Sequence, residues 1–361
     1  MLAVFRVDAS HQIGIGHVMR CLTLAQSLTS KGVVCHFICR DHSGHLIKEI
    51  LQRGHTVHSL KMQCGEDEYP IYSNWLGATQ ISDAEECSPI ISRLNADFVV
   101  VDHYAIGAEW TIIIASICCN IMVIDDLADR HYFCQTLLDQ TFKRSENDYH
   151  DLVPLECKLL CGSMYALLDS SFVEMRPQSL ARRVDLKLER ILINFGGVDR
   201  LNFTQKILTA LHKTTLPPRC EIDVVMGYTA LGVDAIKSLA AHMPRPTRVH
   251  VGVNNMAELM AVSDLAIGAA GATSWERCCL GLPSVMVVTA ENQRLIAESL
   301  SDAGAAITTE IEGVTDAVDF LFRKENKDVL YQLSDASSTI CDGLGVERIT
   351  QHILRSGFYE N

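Results

Sequence analysis

The sequence predicts an α/β protein made of two Rossmann-like domains that face a shared cleft. Short β-branched runs alternate with helical patterns in both halves of the chain, which is typical of parallel sheets covered by helices. A polar, basic stretch at 172–188 separates the two series and is predicted to be a linker. A chain of 361 residues, of which 48% are hydrophobic, is also long enough to form two cores.

The first domain is predicted over residues 1–175 and carries the catalytic loop. Its strands are expected at 2–7, 33–39, 55–59, 97–101 and 121–124, and its helices at about 17–30, 43–53, 83–94 and 110–116. Ligands of such domains bind beyond the carboxyl ends of the strands, so polar side chains there are candidate site residues.

The second domain is predicted over residues 188–344. Its strands are expected at 190–195, 221–226, 249–251, 265–268 and 284–288, and its helices near 203–212, 230–241, 256–263, 274–280 and 293–302. The segment 345–361 has a helical pattern; it either crosses back to the first domain or forms a plain terminal helix.

The composition argues against several classes of partner. The formal net charge is −13, from 31 basic and 44 acidic side chains, which opposes nucleic acids and anionic membranes. The 14 cysteines are scattered through apolar runs without a C-x-x-C pair, so we expect free thiols in a reducing cytoplasm and no zinc site. No leader and no apolar run of about 18 residues is seen, which also predicts a cytoplasmic chain without a membrane partner.

The first candidate site follows the first strand, where two glycines precede a helical pattern. Gly14 and Gly16 leave backbone N–H groups accessible at a helix start, and His17 lies beside them. Met19 occupies the third glycine position of G-x-G-x-x-G, so the dinucleotide fingerprint is incomplete. Asp41, after the second strand, still fits the ribose-binding acid of a dehydrogenase, and a tight turn without any ligand also stays open.

Two charged side chains near His17 have alternative roles. Asp8, at the end of the first strand, could orient the imidazole or cap a turn. Arg20 lies three residues after His17 on the same helix face, where it could bind a phosphate or pair with Asp8.

The second candidate site is a turn of small residues between a strand and a helix. Gly271, Thr273 and Ser274 offer N–H groups and hydroxyls to a diphosphate, and Glu276 could accept hydrogen bonds from the two hydroxyls of a ribose. Alternatively, Thr273 or Ser274 caps the helix and Glu276 completes a capping box.

Several motifs, in order through both predicted domains, resemble the PseG family of UDP-2,4-diacetamido-2,4,6-trideoxy-β-L-altropyranose hydrolases. They are Gly-Ile-Gly-His-Val-Met-Arg-Cys at 14–21, Asp-His-Tyr at 102–104, and the stretches at 255–260, 271–283 and 291–293. The resemblance covers most of the chain and implies a GT-B fold related to that of MurG.

The resemblance further implies a metal-independent, inverting hydrolysis of this UDP-sugar in pseudaminic acid biosynthesis and flagellin glycosylation. No cofactor is implied, and the expected partner is the small-molecule UDP-sugar. His17 matches the histidine that activates water, and Glu276 matches the ribose-binding position. The expected substrate-binding residues are Gly14, Gly16, Arg20, Tyr104, Asn255, Gly271, Thr273, Ser274, Glu276, Glu291, Asn292 and Gln293.

The chemistry of a diphosphate leaving group agrees with a single catalytic base. UDP departs without protonation, so an enzyme that stabilises it needs only to prepare water, whereas ordinary glycosidases need two carboxylates. The metal-binding Asp-x-Asp triplet of many sugar-nucleotide transferases does not occur in the sequence. A GT-B glycosyltransferase using a UDP-amino-sugar donor and a non-catalytic nucleotide-sugar binding protein stay open as alternatives.

Overall fold

Two parallel sheets organise the chain in a computed structural model, which describes residues 1–63, 75–185, 187–214, 216–228 and 230–356. The chain divides into two compact units. The first comprises Met1–Leu167 together with Leu344–Asn361, and the second comprises Leu168–Gly343.

Both units are built from short strands alternating with helices. The strands are Leu2–Val7 (β1), Val34–Arg40 (β2), Thr56–Leu60 (β3), Phe98–Asp102 (β4), Ile121–Ile124 (β5), Thr136–Asp139 (β6), Lys158–Cys161 (β7), Arg190–Asn194 (β8), Glu221–Met226 (β9), Thr247–Val251 (β10), Leu265–Ala269 (β11), Ser284–Val287 (β12) and Ile307–Thr308 (β13). The helices are Gly16–Ser30 (α1), Ile47–Gln52 (α2), Gln80–Leu94 (α3), Ala108–Ala115 (α4), Ser170–Arg182 (α5), Phe203–Leu211 (α6), Val233–Ala241 (α7), Met256–Val262 (α8), Thr273–Cys279 (α9), Arg294–Asp302 (α10), Val314–Phe322 (α11), Lys327–Ser338 (α12) and Gly345–Ser356 (α13).

The strand order of each sheet is that of a doubly wound domain. Within the described ranges, the first sheet runs β3-β2-β1-β4-β5-β6-β7 and the second runs β10-β9-β8-β11-β12-β13. All of these strand pairs are parallel. The order reverses between β1 and β4 in one sheet and between β8 and β11 in the other, and such reversals are where ligands bind in this fold class. The two predicted Rossmann-like domains are therefore confirmed.

Apolar side chains on alternate residues of the central strands pack on opposite faces of the first sheet. On β4, Phe98 and Val100 belong to the core that contains α1, whereas Val99 and Val101 belong to the core that contains α4. A parallel strand covered by helices on both faces needs a continuous apolar run, which explains why these runs were recognisable in the sequence.

The predicted linker at 172–188 is not a linker, because most of it is helix α5 of the second unit. Its basic side chains bind backbone carbonyl oxygens of that unit: Arg176 Nη2 donates to Ser338 O (2.8 Å) and Arg183 Nη1 donates to Ser263 O (2.6 Å). A polar, basic stretch is typical of a linker, but here the charged side chains are used inside the unit, and Arg183 is only 2% exposed. The first unit accordingly ends at Leu167 and not at residue 175.

The segment after residue 344 forms α13 and packs within the first unit. Ile349 and Ile353 are fully buried in the core that contains α1, and the Thr350 hydroxyl lies 2.8 Å from that of Ser27. His352 Nε2 lies 3.0 Å from Thr136 Oγ1 at the start of β6. The strands β6 and β7, which this helix helps to cover, are only four residues long and were missed in the sequence.

A buried network of charges joins β1, β2 and α3. Asp83 accepts hydrogen bonds from Arg6 Nε (2.9 Å) and Nη2 (2.7 Å), from Arg40 Nη2 (2.7 Å) and from Trp110 Nε1 (2.9 Å). Arg6, Arg40 and Asp83 have no exposed surface. Burial alone would raise the pKa of Asp83, but Arg6 and Arg40 outweigh it and lower this pKa to about 2.

Asp83→Asn is expected to lower the free energy of unfolding by about 3 kcal/mol at neutral pH, because it leaves buried guanidinium groups without their anion. Since the folded-state pKa of Asp83 is depressed, its stabilisation is present above about pH 4 and is lost as pH falls through 2. Urea unfolding at neutral and acidic pH measures both effects. Asp151→Asn is the control, because Asp151 lies in an exposed pair with His150; an equal loss in both variants would contradict the network's role.

Candidate functional site

The carboxyl ends of β1 and β4 lie side by side in the first unit. Val7 is paired in register with Asp102, so the loop that follows β1 begins next to the last residue of β4. That loop leads into α1, whose first residues are Gly16 and His17. The predicted catalytic histidine is therefore placed at the reversal of the strand order.

The loop between β1 and α1 is a tight turn held by Ser10. Its hydroxyl oxygen accepts hydrogen bonds from the N–H groups of Gln12 (3.0 Å) and Ile13 (2.9 Å), and the N–H group of Gly14 donates to Ser10 O (2.9 Å). Gly14 has φ +83°, a conformation that favours glycine. The N-cap residue of α1 is Ile15, whose side chain accepts no hydrogen bond. The N-cap side chain therefore satisfies none of the N–H groups of the first helical turn.

His17 is bound by the buried carboxylate of Asp102. Its Nδ1 lies 2.6 Å from Asp102 Oδ1, and the two side chains are 9% and 0% exposed. Because a carboxylate can only accept a hydrogen bond, Nδ1 carries the proton, and Nε2 is the nitrogen available for proton transfer. His17 is thus oriented by the carboxylate of Asp102, an arrangement suited to a general base.

Arg20 and Tyr104 extend this contact into a network. Arg20 donates from Nε and Nη2 to the two oxygens of Asp102, both at 2.6 Å, and from Nη1 to Asp126 Oδ2 at 3.1 Å. The Tyr104 hydroxyl donates to Asp126 Oδ1 at 2.5 Å, and its ring meets the His17 ring edge-on with centroids 4.6 Å apart. His17, Arg20 and Tyr104, all predicted as site residues, are therefore brought together.

The charge on Asp102 is maintained by its cationic neighbours. Burial alone would raise the pKa of Asp102, but Arg20 and then His17 outweigh it and hold the pKa below its usual value. Arg20 in turn has a pKa well above its ordinary value, because Asp102 and Asp126 outweigh its burial. Asp102 and Arg20 are thus held as a buried ion pair, which keeps the imidazole of His17 in one orientation.

Asp8 does not contact His17, so its proposed role in orienting the imidazole is wrong. Asp8 Oδ1 instead accepts a hydrogen bond from the backbone N–H of Arg40 (2.7 Å) and lies 2.8 Å from Arg6 Nη1. Its Oδ2 lies 3.4 Å from His103 Nε2. The pairing of Arg20 with Asp8 is likewise replaced by the pairing with Asp102, because Asp8 turns toward β2 rather than toward α1.

Asp41, the candidate ribose acid of a dehydrogenase, is used within the protein. Its Oδ2 pairs with Lys61 Nζ (2.8 Å) and its Oδ1 accepts a hydrogen bond from the N–H of Met62 (3.0 Å). These contacts bind the residues that follow β2 and β3, which weakens the dinucleotide interpretation.

In the second unit, the small-residue turn follows β11 and is held from inside by Arg277. Its Nη2 donates to Ala269 O (2.6 Å) and to Ser274 Oγ (3.1 Å), and its Nε donates to Thr273 O (3.3 Å). Ser274 is fully buried, so its hydroxyl lies inside the unit, and its predicted ligand contact stays a prediction. Burial lowers the pKa of Arg277 to about 10.

Glu276 is half-buried, and one of its carboxylate oxygens has no hydrogen-bond partner among the described residues. Within the described residues, no donor reaches the buried Oε2 atom. Burial raises the pKa of Glu276 to about 7, with Arg277 acting in the opposite direction. The capping-box alternative is wrong, because Ala272 is the N-cap of α9 and makes no side-chain cap. An unsatisfied acceptor of this kind is suited to a donor on a ligand.

The other predicted residues of the second unit lie on neighbouring loops. Gln293 lies next to the turn, since a Cβ placed on Gly271 would be 3.7 Å from its Nε2, and its Oε1 accepts hydrogen bonds from Thr289. Glu291 is exposed and pairs with Arg294. Asn255 caps α8 without a side-chain bond to the helix backbone, and Asn292 follows Glu291 in the same short turn. Their ligand contacts stay predictions.

Two observations concern metals and membranes. Among the described residues, no group of three or more His, Cys, Asp and Glu side chains is arranged to hold a metal ion. Likewise, none of the helices in the described ranges combines the length and apolar character needed to span a bilayer.

Asp102 and Asp126 are site residues that the sequence placed after strands without giving either of them a role. Both follow apolar strands, at the end of β4 and shortly after β5, where polar residues of this fold class collect. That signal identified the positions but not their partners, because Asp102 lies 85 residues from His17 along the chain, with several strands and helices between them.

Residues 245–340 match the Glycosyltransferase family 28 C-terminal domain. The chain is 26% identical over 305 residues to the UDP-2,4-diacetamido-2,4,6-trideoxy-beta-L-altropyranose hydrolase of Campylobacter jejuni, covering 84% of this chain and 97% of that protein. It is 27% identical to an uncharacterized protein of Methanocaldococcus jannaschii, covering 80% of this chain and 55% of that protein. The crystal structure of Acinetobacter baumannii MurG matches with a TM-score of 0.69 and 16% identity, covering 98% of this chain and 99% of MurG.

The resemblance to the PseG family is thereby confirmed. The likeness to MurG also confirms the GT-B fold class. Together they support an enzyme that acts on UDP-sugars.

Proposed function

We propose that the chain is an inverting, metal-independent hydrolase of UDP-2,4-diacetamido-2,4,6-trideoxy-β-L-altropyranose. It would release UDP and 2,4-diacetamido-2,4,6-trideoxy-L-altrose for pseudaminic acid biosynthesis. The observation that carries the proposal is the His17–Asp102 contact of 2.6 Å, which leaves Nε2 as the base. The name of the Campylobacter jejuni relative, which matches over 84% of this chain, supports the choice of substrate.

His17 would take a proton from the water molecule that attacks the anomeric carbon. The water oxygen forms a bond to C1, the proton moves to His17 Nε2, and the C1–O bond breaks with its electron pair moving to the β-phosphate. Attack opposite to the leaving UDP inverts the anomeric centre. Asp102, ionised and hydrogen-bonded to Nδ1, stabilises the imidazolium that forms.

Arg20 has a different task from the one predicted in the sequence. Its Nε and Nη2 atoms both donate to Asp102, so it would act as a positioning residue that fixes the carboxylate beside the imidazole. Tyr104, whose hydroxyl donates to Asp126, packs edge-on against the His17 ring and would also support it.

The second unit would bind the nucleotide. Glu276, whose Oε2 has no hydrogen-bond partner, would accept hydrogen bonds from the ribose hydroxyls. Gly271 and Thr273 lie at or just before the start of α9, a few residues before Glu276 in the chain. The match of residues 245–340 to a glycosyltransferase C-terminal domain supports a nucleotide-sugar site in this unit.

That same match is the observation that favours the alternative of a GT-B glycosyltransferase. Such an enzyme would use the same base on an acceptor hydroxyl instead of water. The two functions differ in the product formed when no acceptor is present, which gives a direct test.

Incubation with the UDP-diacetamido sugar in EDTA, followed by NMR of the anomeric protons, is expected to show free inverted sugar and UDP. His17→Ala should abolish turnover and retain UDP binding, because only the base is removed. UDP-N-acetylglucosamine should remain intact. A bound but stable diacetamido substrate with the unmodified protein would instead favour the transferase.

Asp102→Asn is expected to lower kcat roughly 100-fold or more with little change in KM, because an amide can present its N–H to Nδ1 and favour the wrong tautomer. Steady-state hydrolysis assays measure the effect. Asp129→Asn is the control, since Asp129 lies on the loop after β5 and its side chain pairs with Arg130 on the surface. Equal rates for the two variants would remove Asp102 from the mechanism.

Binding of UDP near pH 7 is expected to release protons from Glu276. Its pKa of about 7 in the free protein should fall when ribose hydroxyls donate to the carboxylate, so the enthalpy of binding should depend on the ionisation enthalpy of the buffer. Glu276→Gln should bind UDP roughly tenfold more weakly and lose this dependence.

Calorimetry in two buffers measures both quantities. The exposed Glu298→Gln on α10 serves as the matched control and should behave like the unmodified protein. Buffer-independent binding to the unmodified protein would show that Glu276 does not contact the nucleotide.

A further inference from the structure

The ring of Trp75, a residue without a role in the proposed reaction, stacks on the ring of Tyr104. The rings of Trp75 and Tyr104 have centroids 5.9 Å apart and planes inclined by 29°. Tyr104 is itself fixed, by the hydrogen bond of its hydroxyl to Asp126 and by the edge-on contact with His17. The three rings therefore form a continuous aromatic row that begins at the base, defined here as the His17–Tyr104–Trp75 row.

The position of Trp75 differs from that of the other two tryptophans of the chain. Trp110 and Trp275 are fully buried at 0% and 1% exposure, whereas Trp75 is partly exposed. Tyr104, the middle member of the row, is 7% exposed. Trp75 is thus the partly exposed end of a row whose other end is His17.

A partly exposed aromatic face beside a reaction centre suits the apolar side of a pyranose. The face of an aromatic ring carries partial negative charge, and the axial C–H bonds of a sugar carry the complementary partial positive charge. A trideoxy sugar with two N-acetyl groups has few hydroxyls to desolvate, so it loses little when packed against an indole. A hexose with more hydroxyls must place a hydroxyl against the apolar indole without a hydrogen-bond partner, which is unfavourable.

We propose that Trp75 forms the apolar wall of the sugar subsite and makes the site selective for deoxygenated, N-acetylated pyranoses. The inference rests on the proposed function, because it assumes that a UDP-sugar reaches His17. Trp75 is then a specificity-determining residue that contacts the sugar and takes no part in proton transfer. Since an apolar pocket discriminates weakly against an added hydroxyl, the preference it supplies is expected to be at most about 100-fold.

Acrylamide quenching of tryptophan fluorescence tests the contact directly, because Trp75 is the accessible one of the three tryptophans. The His17→Ala protein, which should not turn over substrate, is titrated with the UDP-diacetamido sugar and, separately, with UDP. The sugar nucleotide should reduce the quenching constant substantially, whereas UDP alone should leave it unchanged. Equal protection by both ligands, or none by either when calorimetry shows binding, would overturn the contact.

Kinetics of Trp75→Ala and Trp75→Phe test the selectivity. Trp75→Ala should raise KM for the diacetamido substrate roughly tenfold with kcat nearly unchanged, and Trp75→Phe should restore most of the loss. UDP-N-acetylglucosamine is tested as a competitive inhibitor. Its inhibition constant divided by the KM of the substrate should fall by a similar factor in Trp75→Ala. Unchanged KM and selectivity in a folded Trp75→Ala protein would refute the proposal.

These outcomes separate this inference from the proposed function. If the unmodified protein binds or hydrolyses no sugar nucleotide, the proposed function fails and Trp75 has no sugar to contact. If it hydrolyses the substrate and Trp75→Ala is unaltered, only the role of Trp75 fails. Circular dichroism of each variant confirms that the comparison is made on folded protein.

Discussion

The buried carboxylate of Asp102 is the constraint on which the candidate site of the first unit depends. A carboxylate with almost no exposed surface is costly unless it is paired, and here one imidazole and one guanidinium satisfy both of its oxygens. The same contacts decide which nitrogen of His17 carries the proton. Stability and the proposed chemistry are therefore linked, because the groups that stabilise the buried charge also fix the tautomer of His17.

This constraint follows from the sheet topology. Parallel pairing places Asp102 beside Val7, and the glycine-containing loop returns the chain so that α1 begins over the ends of both strands. His17 and Arg20, three residues apart on α1, then reach one carboxylate together. Arg6 of β1 and Asp8, which follows this strand, belong to a separate buried network with Asp83 and Arg40. Two ionic clusters thus lie near one strand without sharing a carboxylate.

Much of this arrangement was predictable from the sequence, but not the pairing of charges. Apolar runs such as 98–101 showed the central strands because both faces of a parallel sheet are buried, whereas four-residue strands such as β6 carry too short a pattern. The glycines and His17 indicated the site. Asp8 was the wrong partner because sequence proximity suggested it, while Asp102 lies 85 residues from His17. The basic segment at 172–188 was wrongly predicted to be a linker for a similar reason. Its arginines donate to buried backbone carbonyl oxygens, and no sequence pattern identifies such acceptors.

The protonation state of the His17 ring tests the central claim most directly. Long-range proton–nitrogen correlation spectra of the imidazole at neutral pH should show the proton on Nδ1 in the unmodified protein, and a change toward the other tautomer in Asp102→Asn. The Asp129→Asn protein should match the unmodified one. A His17 ring protonated on Nε2 in the unmodified protein, or spectra that Asp102→Asn leaves unchanged, would contradict the account.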